Sequence, residues 1–130
     1  MSTLYDSLHV HSDPRGVVFE PIPSDSFPHL KNAHVVISLP GVVRGNHYHL
    51  RGAETIAVMG PALVRYGESD NVKDVEVPPE DVYRFTFPPG VPHAIQNVSR
   101  RPNVLVAFST EAHDPQRPDA VAVNLISEIT

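Results

Sequence analysis

Residues 41–50 read GVVRGNHYHL and residues 88–97 read PPGVPHAIQN, and these two segments are the most informative in the chain. The first holds His47 and His49, and the second holds His93 behind a Pro-Gly turn. Side chains at positions i and i+2 of a β-strand point to the same face, so His47 and His49 can converge on one point. We expect His93 to point inward from a second strand and to meet them there.

Glu54 opens the next predicted strand, and its side chain is the carboxylate candidate for the same site. The even positions of this strand, Glu54, Ile56 and Val58, carry the bulkier side chains, so the even face is the better inner face. Glu54 then points inward with them. Three imidazoles and one carboxylate brought together inside a β-barrel predict a metal site or an acid–base pocket.

Arg44 precedes the histidine pair, and its direction depends on the backbone around Gly45. Strict alternation places Val43 and Gly45 on the face of the histidines, and Arg44 and Asn46 on the other face. A β-bulge at Gly45 would re-aim Arg44. A guanidinium binds phosphate oxygens in pairs, so Arg44 is a candidate ligand for a nucleotide diphosphate, and a surface strand charge is the alternative.

The composition of the 130 residues indicates one ordinary globular domain spanning residues 1–130, with 41% hydrophobic and 19% charged residues. The net charge of −5, without a lysine or arginine cluster, argues against nucleic acid as a partner. No apolar run reaches the roughly 20 residues that span a bilayer, and the N-terminus has no secretion signal pattern, so we expect a cytoplasmic protein. The chain has no cysteine, so any metal must rest on histidine and carboxylate.

Fourteen prolines against seven glycines indicate an all-β chain, because proline at this density breaks helices and delimits strands. The best helical candidate, near residues 24–30, is at most a turn. Between the breaks lie β-rich runs of strand length, at a spacing that is typical of a sandwich or barrel. The predicted strands cover residues 17–22, 34–39, 55–59, 62–66, 72–77, 82–87, 94–98, 104–108 and 120–126.

The two segments together resemble the motifs of the cupin superfamily, whose fold is a double-stranded β-helix or jelly-roll barrel. The first motif, G-x5-H-x-H-x3,4-E-x6-G, corresponds to Gly41, His47, His49, Glu54 and Gly60. The second, P-x-G-x2-H-x3-N, corresponds to Pro88, Gly90, His93 and Asn97. The interval from Glu54 to Gly60 is one residue short, and a register with Ala53 at the ligand position is the alternative to an inward Glu54.

A narrower resemblance covers most of the chain and is to the sugar-nucleotide cupins. It rests on residues 11–16 (HSDPRG), 40–49 (PGVVRGNHYH), 88–98 (PPGVPHAIQNV) and 111–119 (EAHDPQRPD). The sequence is most similar to the C-terminal cupin domain of capsular-polysaccharide UDP-amino-sugar epimerase/reductases, and less so to dTDP-sugar epimerases and ketoisomerases. The chain lacks the reductase domain of the first group and its usual tryptophan within residues 107–111.

This resemblance implies a nucleotide-sugar (4-keto sugar) epimerase or isomerase of polysaccharide biosynthesis, acting as a homodimer. It implies a divalent metal, which could be Zn, Fe, Mn or Ni because all four accept nitrogen and oxygen ligands. It also implies that the substrate is bound by Arg44, Asn46 and Tyr66. The implied metal ligands are His47, His49, Glu54 and His93.

Epimerisation beside a ketone needs a base for the α-proton, a group that holds the enolate and an acid on the other face. A histidine that binds a metal cannot also take protons, so Tyr48, Tyr66 or His113 would transfer the proton if a metal is bound. Without a metal, His47 or His49 would be the base. Two alternatives stay open: a metal-dependent cupin oxygenase, and a non-catalytic cupin that binds or senses a small molecule.

Overall fold

The computed structural model describes residues 3–128, and this part of the chain forms twelve β-strands and one short 3₁₀ helix, Ser24–His29. No helix among these residues has the length and hydrophobicity needed to cross a bilayer. The strands are β1 (Leu4–Ser7), β2 (His11–Asp13), β3 (Gly16–Val18), β4 (Asn32–Ser38), β5 (Val43–His49), β6 (Glu54–Met59), β7 (Ala62–Glu68), β8 (Asn71–Val77), β9 (Val82–Phe87), β10 (His93–Asn97), β11 (Asn103–Ser109) and β12 (Ala120–Ala122).

Ten of the described strands form two five-stranded antiparallel sheets, and β2 and β3 form a separate hairpin. The first sheet has the order β1-β9-β6-β11-β4, and the second has the order β12-β5-β10-β7-β8. From β4 onward the chain changes sheet at every connection except β7 to β8. This crossing pattern is that of a jelly roll, so the all-β, jelly-roll prediction is confirmed.

The hydrophobic core lies between the two sheets and ends directly beneath the histidine cluster. Its stacked aromatic rings, Phe85 and Phe87, have centroids 5.7 Å apart, and Phe87 stacks on His93 at 4.2 Å. Both phenylalanines are fully buried. Burying a side chain of this size stabilises a fold by about 1.5–3 kcal/mol. The stacked phenylalanines therefore fix the surface on which the His93 ring packs.

Two predicted strands are shorter in the structure than the sequence pattern indicated. In place of the predicted strand 17–22 the structure has the shorter β3, Gly16–Val18, and the chain then runs toward the 3₁₀ helix. The predicted strand 120–126 ends at Ala122. Beyond that point the side chain of Asn46 binds the backbone N–H groups of Leu125 and Ile126, at 3.0 and 3.1 Å, in place of a neighbouring strand.

Candidate functional site

The two sheets bring His47, His49, Glu54 and His93 into one cluster at one end of the barrel. One ligand atom from each residue lies within 4.8 Å of the others. His47 and His49 come from β5, and His93 lies opposite His47 on β10. Glu54 begins β6 in the facing sheet, and its side chain is buried. Glu54 rather than Ala53 therefore occupies the fourth position of the cluster.

A β-bulge at Gly45 and Asn46 interrupts β5 just before the histidines. His93 pairs with His47 and the next residue, Ala94, pairs with Gly45, which leaves Asn46 as the extra residue. Gly45 has φ 86° and Asn46 has φ 54°. A Cβ on Gly45 would lie 2.8 Å from the carbonyl oxygen of His93. Glycine is therefore required here, because it alone adopts this φ without cost and lets the two backbones approach.

The bulge places the exposed side chain of Arg44 on the cavity side of β5. Arg44 pairs with Ile95, a core residue, and lines an inner cavity of about 140 Å³. Its Nε donates to Ser38 Oγ at 3.3 Å, and its Nη2 donates to the carbonyl oxygen of Ile37 at 3.1 Å. Val43 packs in a separate apolar cluster instead. Strict alternation was therefore wrong for both residues, and the bulge alternative is confirmed.

The His93 ring is held in one orientation and one tautomer. Its Nδ1 lies 3.0 Å from the carbonyl oxygen of Val91, which can only accept, so the neutral ring carries its proton on Nδ1. The lone pair of Nε2 then faces Oε1 of Glu54 at 3.1 Å. A lone pair directed at a carboxylate is unfavourable unless a proton or a cation lies between them.

The other two histidines present buried ring nitrogens to the same place. Nε2 of His47 has no hydrogen-bond partner among the described residues. Nε2 of His49 lies 3.1 Å from Oε2 of Glu54, close enough for an ion pair but without the alignment of a hydrogen bond. Buried nitrogens without such partners are costly for an isolated protein and suit metal ligation.

The charge states expected at neutral pH also suit metal binding. Burial alone would raise the pKa of Glu54, but contacts with His49 and His93 hold it well below its usual range. Burial lowers the pKa of His47 to about 4, and the proximity of the His93 ring acts in the same direction. The Glu54 carboxylate raises the pKa of His49. Glu54 is therefore an anion and His47 is neutral, the forms in which these side chains ligate a metal.

A divalent metal is the group that this donor set could hold. Three imidazoles and one carboxylate suit Zn, Fe, Mn or Ni, and all four side chains lie on rigid strands. The Nδ1–H of His93 donates to the backbone carbonyl oxygen of Val91, and Nδ1 of His49 lies 3.4 Å from Oδ2 of Asp119. Such outer partners orient histidine ligands in metal sites.

Two cavities meet at the cluster. A mouth cavity of about 370 Å³ opens between the sheets and the loop that joins β11 to β12. The inner cavity of about 140 Å³ continues below it. Both are lined by His34, His47 and Glu54. The cluster therefore lies between a large outer space and a small inner one.

The remaining predicted site residues occupy different places. His113 is exposed in the β11–β12 loop and lines the mouth cavity. Asn46 binds the backbone of Leu125 and Ile126 through its side chain. Tyr48 alternates with the two histidines of β5, so it lies on the opposite face of the strand. Tyr66 is 2% exposed within the core, against Phe87.

Sequence reasoning missed two residues of the site, His34 and Asp119. His34 falls in the predicted strand 34–39, but no role at the site was predicted for it; it lies on β4 and lines both cavities. Asp119 lines the mouth cavity and contacts His49. The segment that contains Asp119 was part of the family resemblance, and this was the available signal for it. The apolar alternation of β4 gave no signal for His34, because it favours Val35 and Ile37 as the inward residues.

A family model for the polysaccharide biosynthesis C-terminal domain matches residues 11–121. The chain belongs to this family. A comparison of this polysaccharide biosynthesis C-terminal domain with curated protein sequences gives no match. The resemblance to the cupin superfamily and its sugar epimerases is confirmed by the family match and by the solved structures that share the fold.

Three solved structures are similar to this polysaccharide biosynthesis C-terminal domain. ChmJ, a 3'-monoepimerase from Streptomyces bikiniensis in complex with dTDP-quinovose, has a TM-score of 0.75 at 20% identity, over 94% of this chain and 69% of that chain. The 3,4-ketoisomerase QdtA from Thermoanaerobacterium thermosaccharolyticum, in complex with TDP, has a TM-score of 0.69 at 16% identity, over 92% of this chain and 86% of QdtA. The capsular polysaccharide assembling protein CapF from Staphylococcus aureus has 0.68 at 27% identity, over 91% of this chain and 34% of CapF. The chain thus spans about a third of CapF.

Proposed function

We propose that this domain binds a divalent metal ion through the His47–His49–Glu54–His93 cluster and epimerises or isomerises a nucleotide-linked 4-keto sugar in polysaccharide biosynthesis. The observation that carries the metal assignment is the pair of buried nitrogens, Nε2 of His47 and Nε2 of His49, that lack hydrogen-bond partners beside an ionised Glu54. We expect the reaction to take place in the cytoplasm.

The sugar class is supported by the family match and by the solved structures. ChmJ is an epimerase described with a dTDP-sugar, and QdtA is a ketoisomerase described with TDP. Epimerisation or isomerisation of a 4-keto sugar would move a proton on a carbon beside the ketone. The mouth cavity of about 370 Å³ lies within the usual range for a small-molecule site, so a sugar ring has room above the cluster.

A bound divalent ion would supply Lewis-acid stabilisation of the enolate oxygen that forms when the α-proton leaves. The protein residues have the tasks of positioning and proton transfer. Glu54 and the three histidines of the cluster would hold the ion and would not exchange protons with the substrate. His113 lies at the cavity mouth and is a candidate proton carrier. Tyr48 and Tyr66 would each have to leave their present environment to reach a substrate in the cavity.

Arg44 is proposed to bind the diphosphate of the substrate. It lines the inner cavity and uses two of its guanidinium nitrogens on Ser38 and Ile37. These contacts hold the guanidinium plane in place and leave other N–H groups for a phosphate oxygen. Asn46 would act indirectly, because its side chain shapes the bulge that directs Arg44.

The test is an exchange experiment in deuterated water with dTDP-4-keto-6-deoxyglucose as the probe. We expect solvent deuterium at a carbon flanking the ketone, detected by NMR, and loss of that exchange in His47→Ala. His29→Ala is the matched control, since His29 is exposed in the 3₁₀ helix, away from both cavities. No deuterium incorporation at full substrate occupancy would exclude this function.

The donor set itself also supports a second candidate, an Fe(II)-dependent oxygenase. Three histidines and one carboxylate with an open coordination position would serve oxygen chemistry as well. Oxygen uptake by the Fe(II)-loaded protein, measured with the exchange experiment negative, would favour this candidate. Calorimetric binding of the sugar nucleotide without either reaction would instead indicate a binding domain.

We further propose that the domain forms a homodimer in which a second copy covers the outer face of β4. This strand is at the edge of its sheet, and Val35 and Ile37 are 66% and 61% exposed. An uncovered apolar edge strand invites pairing with another chain. Light scattering should give twice the chain mass for the wild type and a monomer for Ile37→Lys. A monomeric wild type would refute the dimer without bearing on the reaction.

A further inference from the structure

We infer that His34 is the base that takes the α-proton of the sugar, an assignment that rests on the proposed function above. A cluster histidine that bound the metal ion through its Nε2 would not be free to take a proton from the substrate. A fourth histidine that faces the same space but is not a ligand is therefore the chemically suitable group.

The position of His34 follows from the register of β4. His34 pairs with Ala107 of β11, which is buried in the core between the sheets. Directly paired residues of antiparallel strands point to the same side of the sheet, so His34 faces the barrel interior. Its inward neighbour on the same strand, Val36, packs against the core. This arrangement places an imidazole on the wall of the site, on the sheet that faces β5.

His34 lies where the two cavities join. Three residues line both the mouth cavity and the inner cavity, namely His34, His47 and Glu54. The other two belong to the ligand group, so His34 is the remaining titratable group at this junction. It is also more exposed than His47, His49 or His93, and so it can exchange its proton with water between turnovers.

The other candidates for this step are less well placed. Tyr66 is 2% exposed and lies in the core, and Tyr48 is on the outer face of β5. His113 lines only the mouth cavity, from the β11–β12 loop. His34 on β4 and His113 on the loop thus approach the mouth cavity from different elements. An epimerase requires two such groups, one for each face of the reacting carbon.

The proposed step balances in protons and electrons. The neutral His34 imidazole takes the proton from the carbon beside the ketone and becomes an imidazolium. The electron pair of the broken C–H bond forms the C=C bond of the enolate, and the carbonyl π pair moves to oxygen. His113 then donates a proton to the opposite face of the same carbon, which restores the ketone and inverts the centre. No oxidant or reductant is needed.

The test compares His34→Gln with wild type in the deuterium-exchange experiment with dTDP-4-keto-6-deoxyglucose. Removing a general base costs roughly 10²–10⁴-fold, so we expect exchange to fall at least about 100-fold in His34→Gln. Its zinc content and its affinity for dTDP should stay within about twofold of wild type, because His34 is not a ligand. His29→Gln, which changes a histidine outside both cavities, should exchange like the wild type.

A second variant separates catalysis from structure. His34→Ala should regain exchange when imidazole is added to the buffer, with a rate that follows the neutral fraction of the added imidazole. A structural role would not give this rescue. Exchange in His34→Gln within about twofold of wild type, while the wild type is active, would overturn the assignment of His34 and leave the proposed function standing. A wild type without exchange would overturn both.

Discussion

Oδ2 of Asp119 lies 3.4 Å from Nδ1 of His49, and the same carboxylate accepts the backbone N–H groups of Arg51 at 2.8 Å and Gly52 at 3.0 Å. Asp119 directly precedes β12, which pairs with β5. The residue that leads into β12 thus supplies an outer partner for a histidine of the cluster. This contact orients the imidazole, so that its Nε2 faces the carboxylate of Glu54.

Asp119→Asn should weaken metal binding without abolishing it. Loss of an outer carboxylate typically lowers metal affinity by about 10–100-fold. Competition with a zinc chelator measures the change, and Asp70→Asn, an exposed acidic residue in the turn before β8, is the control for the lost charge. Equal zinc affinity in Asp119→Asn and wild type would show that the contact does not orient His49 for a metal.

Glu54→Gln tests whether the carboxylate is a ligand. The substitution keeps the size of the side chain and removes the charge that faces Nε2 of His49 and Nε2 of His93, each at 3.1 Å. We expect Glu54→Gln to lose metal on dialysis under conditions in which the wild type retains it, as measured by elemental analysis. Glu76→Gln, on the exposed side of β8, is the control. Unchanged metal content in Glu54→Gln would show that Glu54 is not an essential ligand.

The metal-free protein should lose stability as the pH falls from 6.5 to about 4. Burial, and next the proximity of the His93 ring, lower the pKa of His47 from 6.5 in the unfolded chain to about 4 in the folded one. Within this window the unfolded state binds the proton and the folded state does not, so acid favours unfolding. Urea titrations of chelator-treated protein at several pH values measure the slope of the free energy of unfolding against pH.

His47→Leu should flatten this dependence, because the titrating group is then absent. His49 does not mask the effect: its pKa is raised, so its contribution is complete below 6.5 and is lost only as the pH rises through its folded value. The pKa of Glu54 is lowered, so its contribution is lost only below the usual pKa of 4.5. The same slope in His47→Leu and wild type would contradict the prediction.

Asn46→Ala should destabilise the fold and Asn46→Gly should do so less. Both variants remove the side-chain bonds to Leu125 and Ile126, and unsatisfied buried groups cost about 1–3 kcal/mol. Only alanine adds strain, because the φ of 54° at this position costs an ordinary residue about 1–2 kcal/mol. The difference between the two free energies of unfolding isolates the strain. Equal stability of the two variants would show that the bulge relaxes.

Arg44→Lys should weaken binding of dTDP while metal content is unchanged. A lysine keeps the charge but loses the planar fork, whose Nε and Nη2 are held by Ser38 and Ile37. Calorimetry with dTDP measures the affinity, and Arg100→Lys, an exposed loop residue, is the control. An unchanged dissociation constant in Arg44→Lys would remove Arg44 from the phosphate site.

Much of the cluster was predictable because it depends on short-range alternation. His47 and His49 share a face for the same reason as any i, i+2 pair on a strand. Glu54 shares a face with Ile56 and Val58, whose bulk identified the inner side, and the structure buries all three. Both inferences, the shared face of the histidines and the inward direction of Glu54, required only that residues 43–49 and 54–59 form strands.

The direction of His34 was not predictable in this way. Alternation of apolar residues on β4 favours Val35 and Ile37 as the core face, yet they are 66% and 61% exposed. The hydrogen-bond register with β11 places His34 opposite Ala107 instead. A one-residue change of register reverses every side chain of a strand, and the register is set by a partner far away in the sequence.

The chain by itself therefore determined the all-β class and the shared face of His47 and His49, and it favoured an inward Glu54, because each follows from neighbouring residues. Tertiary structure decided the rest. The bulge that places Arg44 on the cavity side of β5 exists only in the pairing of β5 with β10, and the contact of Asp119 with His49 exists only once β12 joins β5. These features depend on hydrogen bonds between strands that are distant in sequence, so the local pattern could offer the bulge only as an alternative and could not place Asp119 beside His49.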